Sequence, residues 1–352
     1  MTQSALFPQA IRPAREVVDH LPDLGQALLP RADVRAMLVQ LASRFPGLIL
    51  CATGHRPQDI PGYQDRDFPV LVFIAERWLR RLKPAVVIVG GAIGWDQAVA
   101  QAALHLGLTT IVAVPFLGQH RRWREADQRR YGEQILAADS AYACFSPNLD
   151  KTAEVRQALL GRNIEMLRYS HSVLAFSAGR TEGGTAACLR DAHIRGILVA
   201  GNAFADWEAY QAGQLSVIHE VRRSPLSNFA PVQIRMRGEV YGSVEHAYQA
   251  AKTEVAAERE RIRQTASPAE ARKLGRTVTL RAGWDELRLP VMEGLLRQKF
   301  AQATYRDALL ATGEALILEG NTWNDTFFGV CRGVGHNHLG RLLMELRQGM
   351  QA

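Results

Sequence analysis

The chain has 352 residues, more than a single compact core usually holds, so about two domains are expected. Its 47% hydrophobic and 22% charged residues give the balance of a folded globular protein and exclude a disordered chain. A formal net charge of +7 favours polyanions, nucleotides or nucleic acid among them, although basic runs such as 120–124 and 259–263 read equally as solvated faces.

Cys51, Cys144, Cys188 and Cys331 are widely spaced, with no CxxC pair for zinc and no disulfide-like framework, which fits a reducing, cytoplasmic setting. No stretch approaches the roughly 20 apolar residues of a membrane helix, so no membrane partner is expected. No metal or cofactor is expected either.

Taken in chain order, residues 1–45 read as an appendage broken by prolines 8, 13, 22 and 30, with one helix over 32–44. From Leu48 the pattern changes to short apolar runs ending in glycine or turn residues: LILCATGH, VVIVGGAIG, TIVAVPF, VLAFSAG and, at 197–202, ILVAGN. Such near-continuous apolar runs suit parallel strands buried on both faces. Amphipathic stretches at 68–82, 96–106 and 185–193 have the length of crossover helices, and together they predict an open α/β Rossmann-like parallel sheet over 46–215.

Residues 204–221 read as a polar connector, with a boundary near Ser216. The remainder, 216–352, is a mainly helical α+β domain. Helices are predicted at 243–252, 256–265, 268–275, 284–301, 305–311 and 339–347, and short strands at 233–241 and 315–319.

In the first domain, Gly90, Gly91 and Gly94 lie between a strand and a helix, with Asp96 at the helix start, and Gly183, Gly184 and Thr185 occupy a second strand-to-helix turn. Glycine there lets backbone N–H groups approach a phosphate, and two such turns are expected to form opposite lips of a nucleotide crevice. A tight turn alone calls for the same glycines. Thr53, Gly54, His55 and Arg56 follow the first strand and are further candidates for anionic groups, His55 also reading as a hydrogen-bonded structural residue.

The series TGHRP, GGAIGWDQ and GRTEGGT resembles the SLOG superfamily, in its YspA-like branch, across 46–202. That resemblance implies a Rossmann-like domain binding a nucleotide-derived ligand at these residues. Leu189 stands where phosphoribohydrolase members carry a glutamate, so binding rather than catalysis is expected in this domain.

In the second domain, Glu245 and Lys252 are seven residues apart, about two helical turns, which places both on one face. Cleaving a glycosidic C–N bond leaves positive charge on the sugar and negative charge on the departing base, so a carboxylate beside an amine suits that chemistry, the amine as proton donor or nucleophile. The pair also reads as solvated, or Glu245 as a capping-box residue. Glu319, Trp323, Asp325 and Phe328 follow a short apolar strand, and acids beside aromatics suit a sugar–base ligand.

LSNF at 226–229, SVEHAYQAAK at 243–252, ATGEALILEG, the WND loop and NHLGRLLMELR at 337–347 together resemble the NADAR family across about 220–350. The resemblance implies metal-free N-glycosidase activity on ADP-ribosylated guanine, in nucleic acid or nucleotide, or on ribosylamino-pyrimidine phosphates of the riboflavin pathway. It implies catalytic roles for Glu245 and Lys252 and substrate contacts from Asn228, Phe229, Glu319, Trp323, Asp325, Asn337 and Arg341. Phe328 stands where many members carry tryptophan. The alternative is a catalytically silent NAD- or ADP-ribose-type sensor in a defence or counter-defence system. Candidate partners are the substrate, a nucleotide in the first domain, DNA or RNA, and a second copy of the chain.

Overall fold

The computed structural model of the protein describes residues 24–145, 152–219, 221 and 224–351, so the first 23 residues of the expected appendage lie outside the described residues. It divides into two compact units. One holds the described residues up to Ser216 together with Cys331–Val334, and the other holds the described residues of Val217–Val330 and of the segment from Gly335 onward.

In chain order the first unit runs α1 (Arg31–Arg44), β1 (Ile49–Gly54), α2 (Phe68–Leu82), β2 (Val86–Val89), α3 (Trp95–His105), β3 (Thr109–Val114), α4 (Glu125–Ala137), β4 (Ser140–Ala143), α5 (Thr152–Arg168), β5 (Ser172–Phe176), α6 (Gly184–Ile194), β6 (Leu198–Asn202) and α7 (Phe204–Gln211). The six strands form one parallel sheet in the order β4-β3-β2-β1-β5-β6. This is the Rossmann-like architecture expected from the apolar runs. Every residue of β2 is buried, because helices cover both faces of a doubly wound sheet.

Helix α1 belongs to this core. Its Val34, Leu38 and Leu41 pack with Ile49, Cys51, Val86 and Ile88, and each such buried side chain stabilises the fold by about 1.5–3 kcal/mol. Just before it, Leu29 bridges Tyr142 and donates its N–H to the Ala141 carbonyl at 2.8 Å, which shields the outer edge of β4. The chain changes direction across the sheet at β1, with β2 on one side and β5 on the other. A crevice therefore opens at the carboxyl ends of β1 and β5.

The second unit runs β7 (Val217–Ile218), β8 (Ile234–Met236), β9 (Glu239–Tyr241), α8 (Val244–Ala251), α9 (Ala256–Arg263), α10 (Pro268–Leu274), α11 (Trp284–Phe300), α12 (Ala303–Leu310), β10 (Leu316–Ile317) and α13 (His338–Gln351). Its core gathers Ile234, Tyr241, Val244, Leu296, Phe300, Ile317 and Leu343. The single strand expected at 233–241 is instead a hairpin, because Arg237 and Gly238 both take positive φ and reverse the chain in two residues. The expected connector at 204–221 also carries structure: α7, whose Trp207 is buried, and β7, which pairs in parallel with β10.

Candidate functional site

The second unit carries a solvent-open cavity of about 360 Å³. Helix α8 supplies its polar wall. Ser243 caps the helix by accepting the His246 N–H, so His246 rather than Glu245 holds the capping-box position and Glu245 is left facing the cavity. The Glu245 backbone N–H donates to the Asn228 carbonyl at 3.0 Å, which ties the 226–229 segment to the start of α8.

Glu245 is buried, and its Oε1 accepts from Gln249 Nε2 at 2.8 Å. Burial raises its carboxyl above the ordinary range; the Gln249 hydrogen bond and the charges of Arg272 and Lys252 oppose that without reversing it. Lys252 caps α8 at its C-terminus and donates from Nζ to the Gly275 carbonyl at 3.3 Å. Burial lowers its ammonium, the Glu245 charge opposes that without reversing it, and Arg272 and Arg276 act in the direction of burial. Both shifts favour neutral forms, as a proton-donating carboxyl and a nucleophilic amine require.

Aromatic side chains line the cavity as well, one of them from α8 itself. The Tyr248 ring packs 5.3 Å from Trp284 and 5.4 Å from Phe328, and the Arg288 guanidinium lies 3.4 Å from the centre of the Phe327 ring. Asp325 lines the cavity while its Oδ1 accepts the N–H groups of Phe327 and Phe328 at 3.1 and 3.0 Å, fixing the loop that presents them. Asn228 Oδ1 and Gln249 Oε1, both on lining residues, are buried acceptors without a hydrogen-bond partner among the described residues. Hydroxyl or amine donors of a ligand would satisfy them.

Of the residues singled out in this domain, Glu245, Lys252, Asn228, Phe229, Glu319, Trp323 and Asp325 come together around the cavity. Asn337 and Arg341 do not line it. Asn337 is buried at φ 51°, donating to the Ile317 carbonyl at 2.9 Å and accepting the Glu319 N–H at 2.9 Å, so it braces the strand that delivers Glu319. Arg341 pairs with Glu345 at 3.8 Å along α13. Sequence reasoning passed over Arg272, Arg276 and Arg288, which enter from α10, the turn after it and α11, whose facing sides only tertiary packing defines.

The first unit has its own cavity, of about 620 Å³, at the crevice between β1 and β5. Thr53, Gly54, His55, Arg56, Asp96, Gly183, Gly184 and Thr185 line it, as do Arg156, Arg162, Arg180 and Arg190, which had not been singled out. His55 Nε2 accepts the Ala178 N–H at 2.9 Å, so the ring also bridges β1 to the β5 turn. Buried Asp96 faces Arg162 at 3.5 Å; burial raises its carboxyl and the guanidinium offsets part of the rise.

Gly90, Gly91 and Gly94 do not line that cavity; they make room behind it. A Cβ on Gly90 would fall 1.4 Å from Arg162 Nη1, and one on Gly94, at φ 91°, 2.7 Å from the His55 carbonyl oxygen. The expected second lip is therefore formed by Ala92 and Asp96.

Residues 214–351 match the NADAR domain, and 126 residues of this chain are 42% identical to N-glycosidase YbiA of Escherichia coli (strain K12), covering 35% of this chain and 78% of that one. The chain belongs to the NADAR family. The NMR structure of YbiA superposes on the NADAR region with a TM-score of 0.36 at 36% identity, covering 39% of this chain and 85% of that chain. Another NADAR-region relative, riboflavin biosynthesis protein VVA0006 of Vibrio vulnificus, is 36% identical over 36% of this chain and 35% of its own length. A DNA processing protein A from Helicobacter pylori, whose structure describes single-stranded DNA binding, superposes with a TM-score of 0.31 at 19% identity over 49% of this chain and 74% of that chain.

Proposed function

We propose that the C-terminal cavity hydrolyses the glycosidic C–N bond of an ADP-ribosylated guanine or a ribosylamino-pyrimidine phosphate, with Glu245 and Lys252 as catalytic residues. N-glycosidase is the class carried by the family and its named relatives. The observation behind the residue assignment is a buried carboxyl raised in pKa and an amine lowered in pKa, both lining one cavity that has an aromatic wall.

In this reading the base stacks near Tyr248, Trp284 and Phe328. Lys252 Nζ attacks the anomeric carbon, the C–N bond breaks with its electron pair going to the base, and the Glu245 carboxyl gives its proton to the departing nitrogen. Water then adds to the anomeric carbon, Lys252 leaves, and Glu245 regains a proton. Wild-type protein is expected to release ADP-ribose from guanine-ADP-ribosylated DNA, or free base from the ribosylamine phosphate, and Glu245→Gln to release neither. Turnover that survives Glu245→Gln would remove Glu245 from the chemistry, and absence of wild-type turnover on either substrate would remove both as substrates.

We propose in addition that the N-terminal cavity binds a nucleotide-derived anion. Its five arginines and the open space around Gly183 and Gly184 at the start of α6 support this reading. Calorimetric titration with nucleotides of wild type and Arg180→Ala tests it, with weaker binding expected in the variant.

A further inference from the structure

Four basic side chains line the C-terminal cavity, Lys252, Arg272, Arg276 and Arg288, of which Arg288 lies over the Phe327 ring and 3.6 Å from Asp285. Arg272 lies within α10, and Arg276 follows directly after the Gly275 cap, whose own backbone is right-handed helical. Both residues line the cavity.

Glu245, Asp285, Glu319 and Asp325 also line the cavity, but neither the Arg272 nor the Arg276 guanidinium is ion-paired with any of them. Arg272 lies over the Trp323 ring at 5.3 Å from its centre, and Trp323 is itself 37% exposed. Neither Arg272 nor Arg276 has a side-chain hydrogen bond or a carboxylate partner among the described residues, whereas Arg263 and Arg297 on neighbouring helices each hold a glutamate at 2.6 Å. Lys252 donates to a neutral carbonyl. Glu245 is close enough to be felt by Arg272 and Lys252, yet it is bonded to Gln249 and burial disfavours its charged form. The Arg272 and Arg276 guanidinium groups carry N–H donors that no side chain among the described residues takes up, and an anion bound between them would accept those donors and offset their mutual repulsion.

We propose that Arg272 and Arg276 form an anion subsite for the phosphate of the substrate, and that this subsite makes the enzyme select phosphorylated N-glycosides over neutral ribosides. The assignment deepens, and rests on, the reading of this cavity as the N-glycosidase site. It separates the cavity into a phosphate end beside α10 and a base end at Tyr248, Trp284 and Phe328. The phosphate is the monoester of a ribotide or the diphosphate of an ADP-ribosyl group, since the same donors recognise both.

The test uses the full chain as wild type, as the Arg272→Gln/Arg276→Gln double variant and as Glu245→Gln. Steady-state kinetics on a ribosylamino-pyrimidine 5′-phosphate and its dephosphorylated riboside give the ribotide-over-riboside preference, and calorimetry gives the affinity for inorganic phosphate and for pyrophosphate. The double variant is expected to lower the preference about tenfold or more, through KM, because each lost charge-assisted contact is worth about a factor of ten. Its phosphate affinity should fall in step, and the larger of the phosphate and pyrophosphate losses identifies the monoester or the diphosphate as the natural group. An unchanged preference, or equal losses on both substrates, would overturn the subsite. Should the wild type turn over neither compound, the substrate reading fails while calorimetry still decides: phosphate affinity equal in wild type and double variant sinks the subsite. Anion binding in the first unit is common to all variants and cancels in the comparison.

Discussion

Glu245 and Lys299 are both buried ionisable groups of the second unit, and they are put to different uses. For Glu245, replacing the carboxyl by an amide keeps the size and the Gln249 neighbour but removes the proton to be donated, so Glu245→Gln is expected to lower kcat about 10²–10⁴-fold with an unchanged circular dichroism spectrum. Lys299 is fully buried in α11, donates to the Ser227 carbonyl at 2.5 Å and is pushed down to about 7 by burial. Between the ordinary lysine value of 10.5 and about 7, the unfolded chain binds a proton that the folded chain does not, so this contribution to stability is lost as pH falls through that window. Lys299→Met should flatten the rise of melting temperature with pH between about 7 and 10, and an unaltered slope would show that Lys299 stays charged. That Glu245 and Lys252 share one cavity was legible because both are polar types at a helical spacing. The role of Asn337 was not, since an asparagine that braces a strand and one that binds a ligand look alike until its partners, the Ile317 carbonyl and the Glu319 N–H, are known.

At the scale of elements, glycines decide how closely helices and strands approach. Gly275, at the end of α10, has no room for a side chain: a Cβ there would lie 2.0 Å from Gln249 Oε1 and 2.8 Å from Gln249 Cβ. Gly275→Ala should therefore displace Gln249 from Glu245 and shift the carbonyl that holds Lys252, lowering kcat about tenfold while the melting temperature moves little; full activity would refute the coupling of α8 to α10. In the first unit, Gly90→Ala would push Arg162 away from Asp96 and leave a buried carboxylate without its cation, an expected loss of about 1–3 kcal/mol by urea unfolding. The strands β1, β2, β3, β5 and β6 and the helices between them were legible because strands buried on both faces read as unbroken apolar runs. By contrast α4, β4 and α5 went unassigned: β4 is only SAYA, and what makes it a strand is its pairing with β3 on one side and the Leu29 bridge on the other. The same holds for β7, two residues long and paired to β10 nearly a hundred residues later.

For the whole molecule, the two compact units carry separate cavities. If the NADAR region folds on its core alone, residues 214–352 expressed separately should keep kcat/KM within a few fold of the full chain; loss of activity in a folded fragment would assign the first unit a direct part in turnover. Comparing the full chain with and without nucleotides then asks whether occupancy of the first cavity changes turnover in the second, as expected if the N-terminal unit reports a nucleotide signal.

The sequence by itself determined the number and class of the units and the parallel sheet, and it singled out Glu245 and Lys252 as the candidate pair. Each follows from local facts: apolar period, glycine after strand, and reactive types one or two helical turns apart. Only the tertiary structure decided which way each side chain faces. It moved Gly90, Gly91 and Gly94 from ligand contact to packing, turned Asn337 into a brace, and brought Arg272 and Arg276 beside Lys252. Those outcomes depend on contacts between residues far apart in the chain, which no short window of sequence contains.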